Sequence, residues 1–439
     1  MEDDRGVAGS QDGDDRVTRS VYFHIGAPKS GTTYLQSILD GNRERLADAG
    51  VLVVGEQHVD RVQAGLQVRE DPRWQQLPEH RRDMWGVLLR QIEAWNGPAA
   101  VLSYELFSAA TADQAARALA DLAAYDVHVV ITARDLSRAV PSAWQERLKF
   151  GATDPLEEWR PPTGRRSEWG WRTTDPAEVA RRWGRTLPAD HLHVVTVPRG
   201  RADETLLWRR FAEACSLPEV ALDLDTTRAN ESLGAVEAEL LRRANAHLRP
   251  PLEGSRERAV WLRDLLAHRV LAPLGSERLG LTDAQFEEAA ARAEAAIEEI
   301  GSRGYAVHGD LEDLRATRSQ GRLPSQIGDG ELLESALQAM VELLVLVREA
   351  THADPEPAGR PGPKQALQRA AQRLAGPYVR RRDQELRDRI SFLEAEVARS
   401  RELHQRVAVL DDLVTELLMP APDGALARAA LRRYRERGL

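Results

Sequence analysis

Apolar and polar positions divide the chain into two regimes. Up to about residue 200, short apolar runs at 21–25, 51–54, 99–102, 127–131 and 192–197 are separated by helix-length segments. One of these, 111–124, is rich in Ala and Leu, and after the first run Leu35, Ile38, Leu39 and Leu46 recur at helical spacing. Strands alternating with helices predict an α/β fold of three layers, a central parallel sheet covered on both faces. From about Asn230 the strand signal stops, and 231–248, 256–270, 282–300 and 330–350 read as helices. The expected organisation is a polar, disordered lead-in at 1–19, an α/β core at 20–235 and a helical region at 236–350 completing the domain. A linker rich in Pro, Gly and Ala follows at 351–363, and then a helical tail at 364–439.

The tail has two parts. Residues 360–382 carry one Lys, six Arg and no acidic residue. Beyond them Leu386, Ile390, Leu393 and Val397 follow a 4-3-4 spacing, and Leu403, Val407, Leu410, Val414 and Leu417 repeat it after a slip. That is a coiled-coil seam, with homo-oligomerisation or packing on its own domain as the two readings. The basic stretch reads as a solvated helix face or as peripheral contact with an anionic membrane.

Composition narrows the field. With 439 residues, 42% hydrophobic and 29% charged, most of the chain is expected to fold as a globule. The net charge of −9 argues against a partner such as DNA or RNA, which calls for a basic surplus. The single cysteine, Cys215, rules out an intrachain disulfide and a cysteine-rich metal cluster and is expected to be a buried, inert thiol. Residues 1–20 lack the apolar stretch of a secretory signal, so the expected location is the cytoplasm.

The candidate chemistry starts where the first strand ends, in Gly26-Ala27-Pro28-Lys29-Ser30-Gly31-Thr32-Thr33. A loop between strand and helix presents backbone N–H groups and the positive end of the helix dipole to an anion. Gly26 and Gly31 permit close approach, Ser30, Thr32 and Thr33 add hydroxyls, and Lys29 adds a point charge. The order is wrong for a nucleoside triphosphatase loop, which places lysine directly after the second glycine. Here Thr32 follows Gly31, and the lysine stands two residues before it.

The run Pro28-Lys29-Ser30-Gly31-Thr32-Thr33-Tyr34 resembles the 5′-phosphosulfate loop of sulfotransferases that use PAPS (3′-phosphoadenosine 5′-phosphosulfate), with Tyr34 where that family often has Trp. The family's 3′-phosphate signature is an arginine at a strand end and a serine eight residues later. Arg134 and Ser142 match it, and a guanidinium fork with a hydroxyl suits a phosphate. The resemblance covers about residues 20–235. It departs from the animal cytosolic pattern R-K-G-x-x-G, in whose place stands Arg228-Ala229-Asn230-Glu231-Ser232-Leu233, similar to a segment of bacterial members. Arg228 would then complete the 3′-phosphate site, or Asn230 caps the next helix.

What the resemblance implies is sulfuryl transfer from PAPS to a hydroxyl or amine, leaving PAP, with Lys29 at the leaving oxygen and no metal required. The family's base stands near the end of the strand preceding the 3′-phosphate strand. That position points to Glu105, with His24 as rival. A stretch with Trp159, Trp169, Trp171 and Trp183 among Arg160, Arg165, Arg166 and Arg172 has two readings: each tryptophan taken singly is a core anchor of an irregular loop, and as a cluster they suggest a glycan or small-molecule acceptor stacking on tryptophan faces. Two other classes stand beside this one: a P-loop nucleotide kinase or triphosphatase, and a non-catalytic nucleotide-binding scaffold that works through its coiled coil.

Overall fold

A computed structural model describes residues 19–352 except 165–167, 201, 202, 204, 226–231, 249–251, 253, 255, 256 and 276. The expectations for the lead-in at 1–18, the linker beyond residue 352, the basic stretch and the coiled-coil seam, as well as for Arg165, Arg166, Arg228 and Asn230, therefore lie outside the described residues. The backbone separates into units at 1–345 and 346–439, and the sheet and the candidate site belong to the first.

Six strands form one sheet: β1 (Ser20–Gly26), β2 (Val51–Val53), β3 (Ala99–Ser103), β4 (Asp126–Ala133), β5 (Leu192–Thr196) and β6 (Ala306–His308). Their order is β2-β3-β1-β4-β5-β6, and every pairing is parallel. The first five are the apolar runs of the sequence. The sixth is a correction, because strands do not end at Asn230. Ala306, Val307 and His308 pair in parallel with β5 after a long helical passage. Three residues at a sheet edge carry no readable period, and their strand state comes from the neighbouring strand's open backbone groups.

The two-residue period sends alternate side chains to opposite faces. Phe23, Leu102, Val129, Ile131 and Val194 join one core with Phe107 and Trp183. Tyr22, Val101, Val130 and Val195 join the other with Leu35, Ile38, Leu39, Phe211 and Cys215. Both faces are thus covered, as a parallel sheet requires. Each large apolar side chain so buried contributes about 2–3 kcal/mol. Cys215 is free and fully buried, and burial pushes its thiol pKa up, consistent with an inert core residue.

The helices that position the site are α1 (Thr32–Gly41), α2 (Arg43–Asp48), α3 (His58–Val68), α4 (Met84–Ala94), α5 (Ala112–Ala120), α6 (Leu136–Leu148), α7 (Trp171–Thr174), α8 (Pro176–Trp183) and α9 (Leu206–Ala214). The predicted later helices appear as α10 (Ala235–Leu248), the π-wound α11 (Arg258–Leu271), α12 (Asp283–Ser302) and α13 (Asp329–His352). Local chemistry sets their starts. Thr282 caps α12 by accepting from Gln285 N, while the Gln285 side chain accepts from Thr282 N at 3.0 Å. Gln285 also donates to the carbonyls of Leu156 and Trp159, tying α12 to the irregular loop after α6. Among the described residues no helix is long and apolar enough to cross a membrane.

Candidate functional site

The sheet order places β1 between β3 and β4, so the chain reverses its direction of growth across β1. In open parallel sheets the crevice at such a switch point, beyond the carboxyl ends of the strands, is where ligands bind. Three sequence-predicted features leave from those ends. The loop 27–31 follows β1, Glu105 follows β3, and Arg134 follows β4.

The loop is strained in the way its glycines permit. Gly26 has φ 109° and Gly31 has φ 84°, while Lys29 takes the left-handed conformation at φ 65°. Any Cβ at Gly26 would stand 2.5 Å from the Glu105 carbonyl oxygen, so the backbones after β1 and β3 touch there. Gly31 leads into α1 with no side-chain cap on the helix and no acidic residue in its first turn. Its amino end therefore keeps both its donors and its dipole for an anion. Thr32 is buried, Thr33 is exposed, and Tyr34 is half-buried on the first turn.

Below the loop runs a chain of hydrogen bonds through the sheet. Ser30 Oγ donates to Ala27 O and lies 2.5 Å from Thr132 Oγ1. Thr132 Oγ1 stands 3.3 Å from His24 Nε2, and His24 Nδ1 is 2.7 Å from Ser103 Oγ. His24 is fully buried, and burial lowers its pKa to about 3, so its imidazole is neutral. With both ring nitrogens engaged inside the sheet, His24 braces the loop from below.

Lys29 and Arg134, from the two sequence signatures, meet: Arg134 Nη1 donates to Lys29 O at 2.8 Å. The Lys29 ammonium donates to Glu146 Oε1 at 2.8 Å, and Lys149 donates to the same oxygen at 2.9 Å. Burial pushes the Glu146 pKa up, but the charges and hydrogen bonds of Lys29 and Lys149 outweigh it and hold the carboxyl well below its usual range. His268 on α11 feels Lys149, Glu146 and Lys29, and burial followed by the Lys149 charge lowers its pKa to about 3. Ser142 lies half-buried on α6, two helical turns beyond Arg134.

Glu105 opens a single-turn 3₁₀ segment, Glu105–Ala109, and is half-buried. Its Oε2 accepts from Gln36 Nε2 at 2.9 Å, which fixes the carboxylate against α1. Gln36, Thr132, Glu146, Lys149 and His268 were not singled out from the sequence. Glu146 and Lys149 share a helix face three residues apart, but only tertiary structure brings them to Lys29, 117 residues away for Glu146.

Of the two readings of the tryptophan stretch, the core-anchor one holds for three of the four rings. Trp159, Trp171 and Trp183 are buried, at 6%, 2% and 0% exposure. Trp183 packs edge-on against Phe23 at 5.1 Å, Trp171 donates to Glu288 at 2.7 Å beneath Arg292, and Trp159 lies under Arg147. These three anchor core and loop, because a ring of that size recovers more free energy by burial than by waiting exposed. Trp169 is half-buried and is the one ring of the four with open surface. Ser232 and Leu233, the last two residues of the segment that starts at Arg228, are held by Gln145 of α6.

Residues 386–437 match the model of a domain of unknown function, DUF6752. No curated protein matches the chain. Among solved structures, a sulfotransferase from Alicyclobacillus acidocaldarius is similar over 58% of this chain and 100% of its own, with 15% identity and a TM-score of 0.32. That likeness is too slight to carry a functional conclusion, which rests below on the residues themselves.

Proposed function

We propose that this protein transfers a sulfuryl group from PAPS to a hydroxyl or amine of a glycan or small-molecule acceptor, releasing PAP. The observation that carries the reading is the Arg134–Lys29 contact. It joins the sulfate-loop signature and the 3′-phosphate signature, about a hundred residues apart in sequence, into one site at the switch point. A mononucleotide kinase has no use for an arginine and serine reserved for a 3′-phosphate, and Lys29 precedes Gly31 where such an enzyme needs it to follow.

PAPS supplies the activated S–O bond. The uncapped amino end of α1, the loop N–H groups including that of Ser30, and the hydroxyls of Thr32 and Thr33 hold the 5′-phosphosulfate end, while the Ser30 hydroxyl, donated to Ala27 O, shapes the loop. Arg134 and Ser142, with Arg228, hold the 3′-phosphate. Lys29 neutralises the charge that grows on the bridging oxygen as the S–O bond to PAP breaks, the same electrostatic task met in phosphoryl transfer. Glu105 accepts the acceptor's proton as its oxygen or nitrogen bonds to sulfur, and Gln36 keeps that carboxylate oriented. No metal has a part in this scheme. Glu146 parks the Lys29 ammonium between turnovers.

The test is release of PAP from PAPS in the presence of pooled glycan and phenol acceptors, with label from the sulfuryl group followed into product. Label appearing in an acceptor with wild-type protein and lost in Lys29→Ala supports the reading. Undiminished transfer by Lys29→Ala refutes it.

A further inference from the structure

At the opposite, amino end of the sheet, histidines stand in a row across three strands. Asp126 Oδ2 lies 3.1 Å from His128 Nε2, and His128 Nδ1 lies 2.9 Å from His193 Nε2. His193 Nδ1 is 3.0 Å from His308 Nε2, and His308 Nδ1 faces Glu213 Oε1 at 3.5 Å. His191 stacks on His128 with ring centroids 4.4 Å apart, and its Nδ1 lies 3.5 Å from Asp126 Oδ1 and 3.1 Å from Val127 O. The row sits at the start of β4, so about 17 Å of strand separates His128 from the phosphate-loop end of the sheet.

The hydrogen bonds of the row close with each histidine donating toward Asp126, and His308 Nδ1, which has no hydrogen-bond partner, is left facing the exposed Glu213. At the Asp126 end a further ligand joins the row. There one carboxylate oxygen and one nitrogen each from His128 and His191 lie within 4.8 Å of one another. Ligands of a tetrahedral ion with bonds near 2.1 Å stand about 3.4 Å apart, so rotation of the side chains closes the set, with His191 Nδ1 exchanging its proton and its bond to Val127 O for the ion.

We propose that Asp126, His128 and His191 form a binding site for a divalent transition metal of the zinc class. Two imidazoles and one carboxylate select Zn²⁺, Ni²⁺ or Cu²⁺ over Mg²⁺ or Ca²⁺, which prefer all-oxygen sets. His193 is the positioning residue: with the ion bound it accepts the His128 Nδ1–H and so presents Nε2 as the basic nitrogen, with His308 behind it. The three ligands supply three bonds and leave the fourth position to water. The ion fastens the start of β4 to the turn entering β5, beside the edge where β6 is added. This site is independent of the sulfuryl-transfer reading.

The full chain, stripped with a chelator, is titrated calorimetrically with Zn²⁺ and in parallel with Mg²⁺, and its melting temperature is followed with each. The expected result is one Zn²⁺ per chain at micromolar or tighter affinity, a rise in melting temperature with Zn²⁺ and none with Mg²⁺. Asp126→Asn and His191→Ala each weaken binding about a hundredfold, and His193→Gln about tenfold. Asp126 and His191 are partly exposed, and a far-UV spectrum checks that these variants fold. Failure of the folded wild type to bind Zn²⁺ would overturn the site. Unchanged affinity in the Asp126→Asn/His191→Ala double variant would put the zinc among other histidines and overturn it equally.

Discussion

The ammonium of Lys29 and the carboxylate of Glu146 meet at 2.8 Å, joining the loop after β1 to the last turn of α6. Glu146 also serves Lys149, whose side chain is 2% exposed. The carboxylate therefore has two tasks, holding the loop lysine in place and compensating a buried cation. Glu146→Gln removes the charge that Lys29 and the buried Lys149 share, with an expected stability loss of about 3 kcal/mol. Urea unfolding of the two proteins measures it. A loss under about 1 kcal/mol, the range of an exposed ion pair, would mean that the pair is solvated.

Glu105→Gln keeps the hydrogen bond to Gln36 and removes the proton acceptor. Transfer is expected to fall by about a hundredfold or more, with PAP affinity unchanged within about twofold. Steady-state turnover beside PAP titration separates the two effects, and near-normal turnover excludes Glu105 as the base.

At Gly26 a methyl group would collide with the Glu105 carbonyl oxygen at 2.5 Å, on a backbone whose φ of 109° already disfavours any side chain. Gly26→Ala is expected to cost about 1–3 kcal/mol through strain and to lower turnover more than PAP affinity, because it displaces the base while leaving α1 in place. Thermal melts and turnover on the purified variant check both parts.

Acid should weaken the fold through His24. Burial holds its folded pKa at about 3, against an ordinary value of 6.5 in the unfolded chain. The unfolded chain then binds a proton that the folded chain refuses. The His24 contribution is complete above about pH 6.5 and declines by about 1.4 kcal/mol per pH unit down to pH 3. His24→Asn, which retains hydrogen-bonding capacity, is expected to flatten the slope of unfolding free energy against pH by about one proton between pH 4 and 6. An unchanged slope would show that His24 is protonated in the folded state.

Much of this was readable along the chain, and the exceptions have identifiable causes. Five strands announced themselves because both faces of a buried parallel strand demand apolar residues, and runs such as 127–131 have few other uses. The phosphate loop was visible because its glycines, hydroxyls and lysine are contiguous. β6 was hidden because Ala306-Val307-His308 is too short to have a period, and its state depends on β5. Glu146 looked like one more charge on an amphipathic helix, since its partner Lys29 is remote in sequence. Trp159, Trp171 and Trp183 read equally as a binding platform or as anchors, and ring contacts to Arg147, Glu288 and Phe23, which the sequence does not announce, decide for anchors. Sequence lists which residue types are at hand, and packing decides which of them remain accessible.

Calorimetric titration with PAP, beside ATP and ADP, tests the central claim most directly, on the wild type and on Arg134→Ala. The account predicts micromolar binding of PAP, much weaker binding of ATP and ADP, and loss of PAP binding in Arg134→Ala. Tight ATP binding that ignores the 3′-phosphate and survives Arg134→Ala would contradict it.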